Sequence, residues 1–148
     1  MEEFKLYEES AERSVIGALL LDNESIYNCE FLKPEMLGFE KYKQVFSVIS
    51  KMIADNHPAD VVTVNSRLVE LEIDGLIDGL MGLVAIVQNT PSAANIARYA
   101  NIVKNKYIDR QLLHVADEIK ELVLNGSLKS EEKQQRAEKI ISDIADSV

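Results

Sequence analysis

The sequence has no tryptophan, one cysteine, three prolines and two histidines in 148 residues, and each shortage excludes something. A lone Cys29 cannot form an intrachain disulfide, so a reducing, cytoplasmic compartment is expected. His57, His114 and Cys29 share no ligand-like spacing, so no metal site is expected. His57, before Pro58, reads as a solvated turn residue. His114 reads as a surface or structural residue in mid-helix, and Cys29, near Phe31 and Leu32, as a small buried apolar group. No apolar run approaches the roughly 18 residues of a membrane span. The acidic start Met1-Glu2-Glu3 lacks the apolar stretch of a signal peptide.

Catalytic signatures are missing too. There is no Gly-x-x-x-x-Gly-Lys-Ser/Thr loop and no Gly-x-Gly-x-x-Gly, and no Ser-His-Asp or Cys-His signature. Gly75, Gly79 and Gly82 lack both a preceding strand and an adjacent lysine, so they do not read as a nucleotide cradle. The acidic pairs Glu2-Glu3, Glu8-Glu9 and Glu131-Glu132 sit at a chain end or at helix starts, where solvation and the helix dipole account for them. The chain is therefore expected to carry no catalytic residue and no cofactor. Cations are also scarce: 16 Lys and Arg face 25 Asp and Glu, a net charge of -9. Such a surface repels phosphate backbones, so no direct DNA binding is expected.

What the chain does have is helical periodicity. Apolar residues are 47% of the sequence, enough for a core, and recur at steps of three and four. A first helix is predicted after Ser10 as N-cap, through Ala11, Val15, Ile16, Leu19 and Leu20, ending at Asp22-Asn23. A second carries Tyr42, Val45, Phe46, Ile49, Met52 and Ile53 and stops at Asp55-Asn56-His57-Pro58. Val61-Val62-Thr63-Val64 could be a strand, but no partner strand is evident. An extended lead-in with Thr63 capping a short helix to Leu71 is preferred. Leu80 to Gln88 reads as another short helix, followed by a turn and a new N-cap at Ser92.

From Ala93 to Asn125 there is neither Gly nor Pro, a stretch of roughly 50 Å if helical throughout. Ile96, Tyr99, Val103 and Tyr107 form a stripe that Leu112, Val115, Ile119 and Leu122 continue, and Gly126 suits the C-terminal stop. A last helix, capped by Ser130, presents Ala137, Ile140, Ile141 and Ile144. The predicted fold is all-α: a small helical head over 8–90 and a protruding antiparallel helical hairpin over 91–148. One stripe per arm exceeds what the hairpin can cover internally, which argues for self-association. The candidate interface is Tyr99, Val103, Tyr107, Leu112, Val115 and Ile119, with packing against the head as the alternative for each. Arg98, Lys104, Lys106 and Arg110, against the single acid Asp109, make a local basic patch. It reads as a solvated helix face or as a contact for an acidic neighbour, with DNA a distant third.

Several segments carry a resemblance to a known family. Ala11-Glu12-Arg13-Ser14-Val15-Ile16-Gly17-Ala18-Leu19-Leu20-Leu21-Asp22-Asn23, then Pro58-Ala59-Asp60-Val61-Val62-Thr63-Val64, then Pro91-Ser92-Ala93-Ala94-Asn95-Ile96 with Tyr99-Ala100 and Ile102-Val103, resemble in order and spacing the N-terminal domain of the DnaB family of replicative helicases. Arg110-Gln111-Leu112-Leu113 and Ala137-Glu138-Lys139-Ile140 fall where that family has its hairpin arms. The resemblance implies a collar domain that associates through its hairpins and docks primase and, in some systems, a helicase loader during DNA replication. ATP, magnesium and DNA translocation belong, by the same resemblance, to a separate motor domain. The alternative is a free-standing phage or prophage regulator acting on a host helicase or its loader. Two departures stand out. Asp78-Gly79 and Gly82 replace a glycine pair and a following aromatic, which puts local packing in doubt. Leu37-Gly38-Phe39 replaces an Asp-Phe-Tyr segment.

Overall fold

A computed structural model describes residues 5–147. The acidic pair Glu2-Glu3, the rest of the start Met1–Phe4, and Val148 lie outside the described residues. Six α-helices follow one another: α1 (Glu9–Leu21), α2 (Glu40–Ala54), α3 (Val61–Glu70), α4 (Gly79–Gln88), α5 (Ile96–Val123) and α6 (Ser130–Ser147). Short 3-10 turns cover Asn23–Asn28, Pro34–Met36 and Asp74–Ile77, and no strand occurs among the described residues. The all-α expectation holds, and Val61–Val64 is helical.

Helix α1 is the central element, with α2, α4 and the first half of α5 packed around it. Its Val15, Ile16, Ala18 and Leu19 are fully enclosed, together with Phe46 and Ile49 of α2, Val64 and Leu68 of α3, Leu83 of α4 and Ile96 of α5. These are the periodic apolar positions of the sequence, each brought to the inside by its helix's 3.6-residue turn.

The starts of several helices differ from expectation. Helix α1 begins one residue before Ser10, with Glu8 at its N-cap and the Ser10 hydroxyl bonded to the Glu8 carboxylate. Asp60, not Thr63, caps α3: its carboxylate accepts from the N–H groups of Val62 and Thr63, while the Thr63 hydroxyl accepts from Asp60 N. This is a reciprocal capping box, and it holds Asp60 below the usual carboxylate range. Helix α5 starts at Ile96 with Asn95 preceding it, and Ser92 instead closes a turn by accepting from Ala94 N. Its last residue is Val123, ahead of Gly126, and Ser130 is already inside α6. Of these N-caps only Asp60 uses its side chain on the free N–H groups, whereas Glu8 and Asn95 make no side-chain cap bond.

The glycine at position 82 is explained by packing. A Cβ there would strike the Ile77 carbonyl oxygen and crowd Asp78. The 3-10 turn Asp74–Ile77 is folded directly onto α4, and Asp78 lies in the left-handed region with φ 61°. Backbone thus occupies the neighbourhood expected to be left empty by the missing aromatic. Asn23 fixes the opposite end of the head. Its amide donates to Leu19 O and Ala59 O at 2.9 and 2.8 Å, and its carbonyl accepts from Ala59 N at 2.9 Å.

Candidate docking face on the hairpin

Helix α5 serves two structures in turn. Its first half lies on the head: Ile96, Ala100 and Val103 are core residues, and Tyr99, Ile102 and Tyr107 pack against that core. Its second half packs against α6, which has no buried residue, and Leu6 lies beside Leu112 and Leu113 at the start of that half. Val115 faces α6, beside Ile140 and Ile144. At the tip, the Lys133 ammonium donates to the Val123 carbonyl at 2.6 Å, satisfying one of the last carbonyls of α5.

The candidate interface therefore divides. Val103 is 2% exposed and Tyr99 and Tyr107 are half-buried on the head, so these three serve the core in this chain. Val115 is covered by α6. Leu112 is open and Ile119 half-open on the outward face. Sequence reasoning missed Leu113, Val123 and Leu124 on α5 and its C-terminal edge, 54%, 56% and 74% exposed, and gave Ile141 of α6 an inner position although it is half-exposed. The available signal was the Leu112-Leu113 pair: adjacent leucines point about 100° apart on a helix, so one must leave the inner face. On α5, Leu112, Leu113, Val123 and Leu124 make an exposed apolar stripe on the distal hairpin. A depression of about 380 Å³ lies at its head-proximal end, lined by Leu6, Asp109, Leu112, Leu113 and Ala116.

The basic patch also divides. Arg98 is exposed. The Lys104 ammonium sits 5.3 Å from the centre of the Phe31 ring. Lys106 donates to Lys5 O at 2.7 Å. Arg110 donates to Leu6 O and Met36 O, both at 2.9 Å, and lies 4.6 Å from the Tyr7 ring centre. Two of the four cations thus bind backbone oxygens of this same chain, and the solvated-face reading fits Arg98 best.

The loop under Tyr7 is held by Glu12. This carboxylate, 1% exposed, accepts from Gly38 N at 2.9 and 3.0 Å and from Phe39 N at 3.1 Å. Burial pushes its pKa above the usual value, against the pull of those N–H groups and of Arg110. Glycine at 38 is required, because a Cβ would collide with the Tyr7 ring. The altered Leu37-Gly38-Phe39 segment is therefore a seat for Tyr7, whose ring also meets Phe39 edge-on at 5.8 Å.

No group of three or more His, Cys, Asp or Glu able to hold a metal occurs among the described residues. His114 pairs with Glu118 at 2.8 Å on the surface. His57 is exposed in its loop. The Cys29 thiol is buried and pushed up to about 11 by burial and by Glu30, which makes it a poor nucleophile. No described helix is long and apolar enough to cross a membrane.

Residues 5–105 match the family described as DnaB-like helicase N terminal domain. The chain belongs to that family. Among curated DnaB-like relatives, the replicative DNA helicase DnaB of Nostoc sp. is 33% identical over 110 residues, 74% of this chain and 12% of that protein. DnaB of Geobacillus stearothermophilus is 32% identical over 110 residues, 74% of this chain and 24% of the relative. The DnaC replicative helicase of Bacillus subtilis is 29% identical over 136 residues, 91% of this chain and 30% of that protein. The chain thus spans less than a third of these relatives' lengths. The crystal structure of the DnaB N-terminal domain from Mycobacterium tuberculosis superposes with a TM-score of 0.86 at 28% identity, covering 95% of this chain and 99% of that one. A DnaB-like replicative helicase, solved in a study of its interactions with primase, shares the fold with a TM-score of 0.76 at 20% identity over 93% of this chain and 31% of its own.

Proposed function

We propose that this DnaB-like N-terminal domain is an assembly and docking module of a replicative helicase, self-associating through the outward face of the distal hairpin. The observation that carries this reading is the apolar stripe Leu112, Leu113, Val123 and Leu124, exposed on the distal arm among the described residues. A two-fold contact between two copies of such a face is self-complementary. Unwinding and ATP use belong, in this reading, to a motor domain, and the present domain works by display. Primase is the proposed further partner of the collar, supported by the fold shared with a helicase studied with primase. A helicase loader is the other candidate.

The test is Leu113→Asp combined with Val123→Asp. Sedimentation is expected to show a concentration-dependent oligomer for the wild type and a monomer for the variant, with the same helical circular dichroism and melting temperature. Self-association that survives in the folded variant removes the hairpin face from the proposal.

A further inference from the structure

The packing of α5 against the apolar core of the head reaches Tyr107, yet residues outside the hairpin accompany the helix as far as Ala116, about two and a half turns further. They belong to the extended segment Lys5–Glu8, which lies in no secondary-structure element. Leu6 sits beside Leu112, Leu113 and Ala116. Lys106 donates to Lys5 O, and one terminal nitrogen of Arg110 donates to Leu6 O. The other terminal nitrogen of Arg110 donates to Met36 O, and the guanidinium lies 4.6 Å from the Tyr7 ring centre. The loop that follows Met36 is itself fixed to the central helix of the head, where the Glu12 carboxylate accepts from Gly38 N and Phe39 N. One side chain thus ties together α5, the segment 5–8 and the head, at the level where α5 leaves the head.

We propose that Lys5–Glu8 is a brace, pinned by Arg110, that sets the angle at which the hairpin leaves the head. A long helix is rarely straight, and its curvature follows what packs on its flanks. Beyond Tyr107 one face of α5, at Val115 and Glu118, meets α6, which has no buried residue and packs on α5. At about 100° per residue, Leu112, Leu113 and Ala116 lie roughly opposite that face. Leu6 is the residue that meets them there, so the arm is buttressed from the head on the side away from α6. Arginine suits the pin, because its planar fork reaches two carbonyls at once while its face lies on an aromatic ring; a lysine ammonium has no such plane. The brace is short, Lys5 and Tyr7 are exposed, and Leu6 is only partly buried, so lifting it removes no core residue. The head–hairpin angle is thereby unlocked while both parts stay folded. The brace acts within one chain and does not depend on self-association.

The experiment places nitroxide labels on the 148-residue chain at Val62→Cys on the head and Ser127→Cys at the hairpin tip, both exposed positions; Cys29 is buried and stays unlabelled. Labelled protein is diluted into an excess of unlabelled chain, so that pulsed dipolar spectroscopy reads the distance within one chain whatever its oligomeric state. A single narrow distance is expected with Arg110 in place, and a distribution about twice as wide in Arg110→Met. Amide exchange of residues 5–8 should accelerate about tenfold in the same variant. Arg98→Met, on the exposed face of the same helix, should leave the width unchanged. If Arg110→Met loses helical circular dichroism, Leu6→Ser combined with Tyr7→Ala releases the brace without touching α5 and should broaden the distribution equally. An unchanged width in a folded variant whose residues 5–8 exchange faster overturns the brace, because α5 alone would then hold the arm. A distribution already broad in the wild type, or equal broadening by Arg98→Met, overturns it as well. The outcome of the sedimentation test above alters none of these readings.

Discussion

Over Ile96–Tyr107, α5 lies on the head with Ile96, Ala100 and Val103 enclosed, whereas over Leu112–Val123 the same unbroken helix leaves leucines and a valine in water. The two halves have similar apolar periodicity and no glycine or proline between them. The difference is what each faces. The first half meets a preformed layer of α1 side chains; the second meets one slender helix whose inner face is Lys133, Ala137, Ile140 and Ile144, none fully buried. A helix pair alone cannot enclose a stripe on both flanks, so the distal half keeps apolar area in water. Core packing and the face proposed for docking are thus on successive turns of one element.

Substitutions along α5 and around it test that contrast. The largest effect is expected from Val103→Asp, which puts an unpaired charge into the head and should cost about 4 kcal/mol or more, enough to unfold a marginal domain. Leu113→Asp, ten positions on, should stay within about 0.5 kcal/mol of the wild type in urea melts and alter only sedimentation. Equal destabilisation by the two would mean that the distal half is already part of the core. Next comes Gly82→Ala, where the methyl meets the Ile77 carbonyl; overpacking there should cost about 2–3 kcal/mol. A neutral result would show that the 3-10 turn gives way easily.

Glu12→Gln is expected to cost about 1–2 kcal/mol at neutral pH, since an amide NH2 would face a backbone N–H. It should also change the pH profile. The raised pKa of Glu12 means that the folded state holds its proton more tightly than the unfolded chain does. Stability from this group is therefore greatest below the ordinary value of 4.5 and is lost as pH rises through the raised folded value. The variant should lack that step when melts are compared from just below 4.5 upward. The smallest effect is expected for Ile140→Ala in α6, about 1 kcal/mol, because the side chain is only half-buried against Val115. A loss as large as that from a head residue would mean that the hairpin is closed by contacts beyond its own two arms.

The helices were legible because burial on one side imposes a 3.6-residue spacing that survives without knowledge of neighbours. Tyr42 to Ile53 and Leu80 to Gln88 needed nothing further. Caps were legible only to within three residues: Asp60, three positions before Thr63, takes the α3 cap, and α1 and α5 begin behind Glu8 and Asn95, which make no side-chain cap bond. Periodicity says which residues share a face, not what covers it. It therefore grouped Tyr99, Val103 and Tyr107 with Leu112, although the head covers the first three and water the fourth. Gly82 read as a deficit because its neighbour, the Ile77 carbonyl, belongs to a turn whose path composition does not reveal.

The helical class, the order of the segments, the apolar inventory of the head and the acidic surface all follow from local spacing or from composition. What the cations of α5 do follows from the fold. Lys106 reaches Lys5 and Arg110 reaches Leu6 and Met36 across 101, 104 and 74 positions of chain. The fold likewise decided which half of the long stripe remains open. Those outcomes depend on contacts between residues distant in sequence, and backbone oxygens, which every residue carries, leave no mark in the sequence to announce which of them a cation will find.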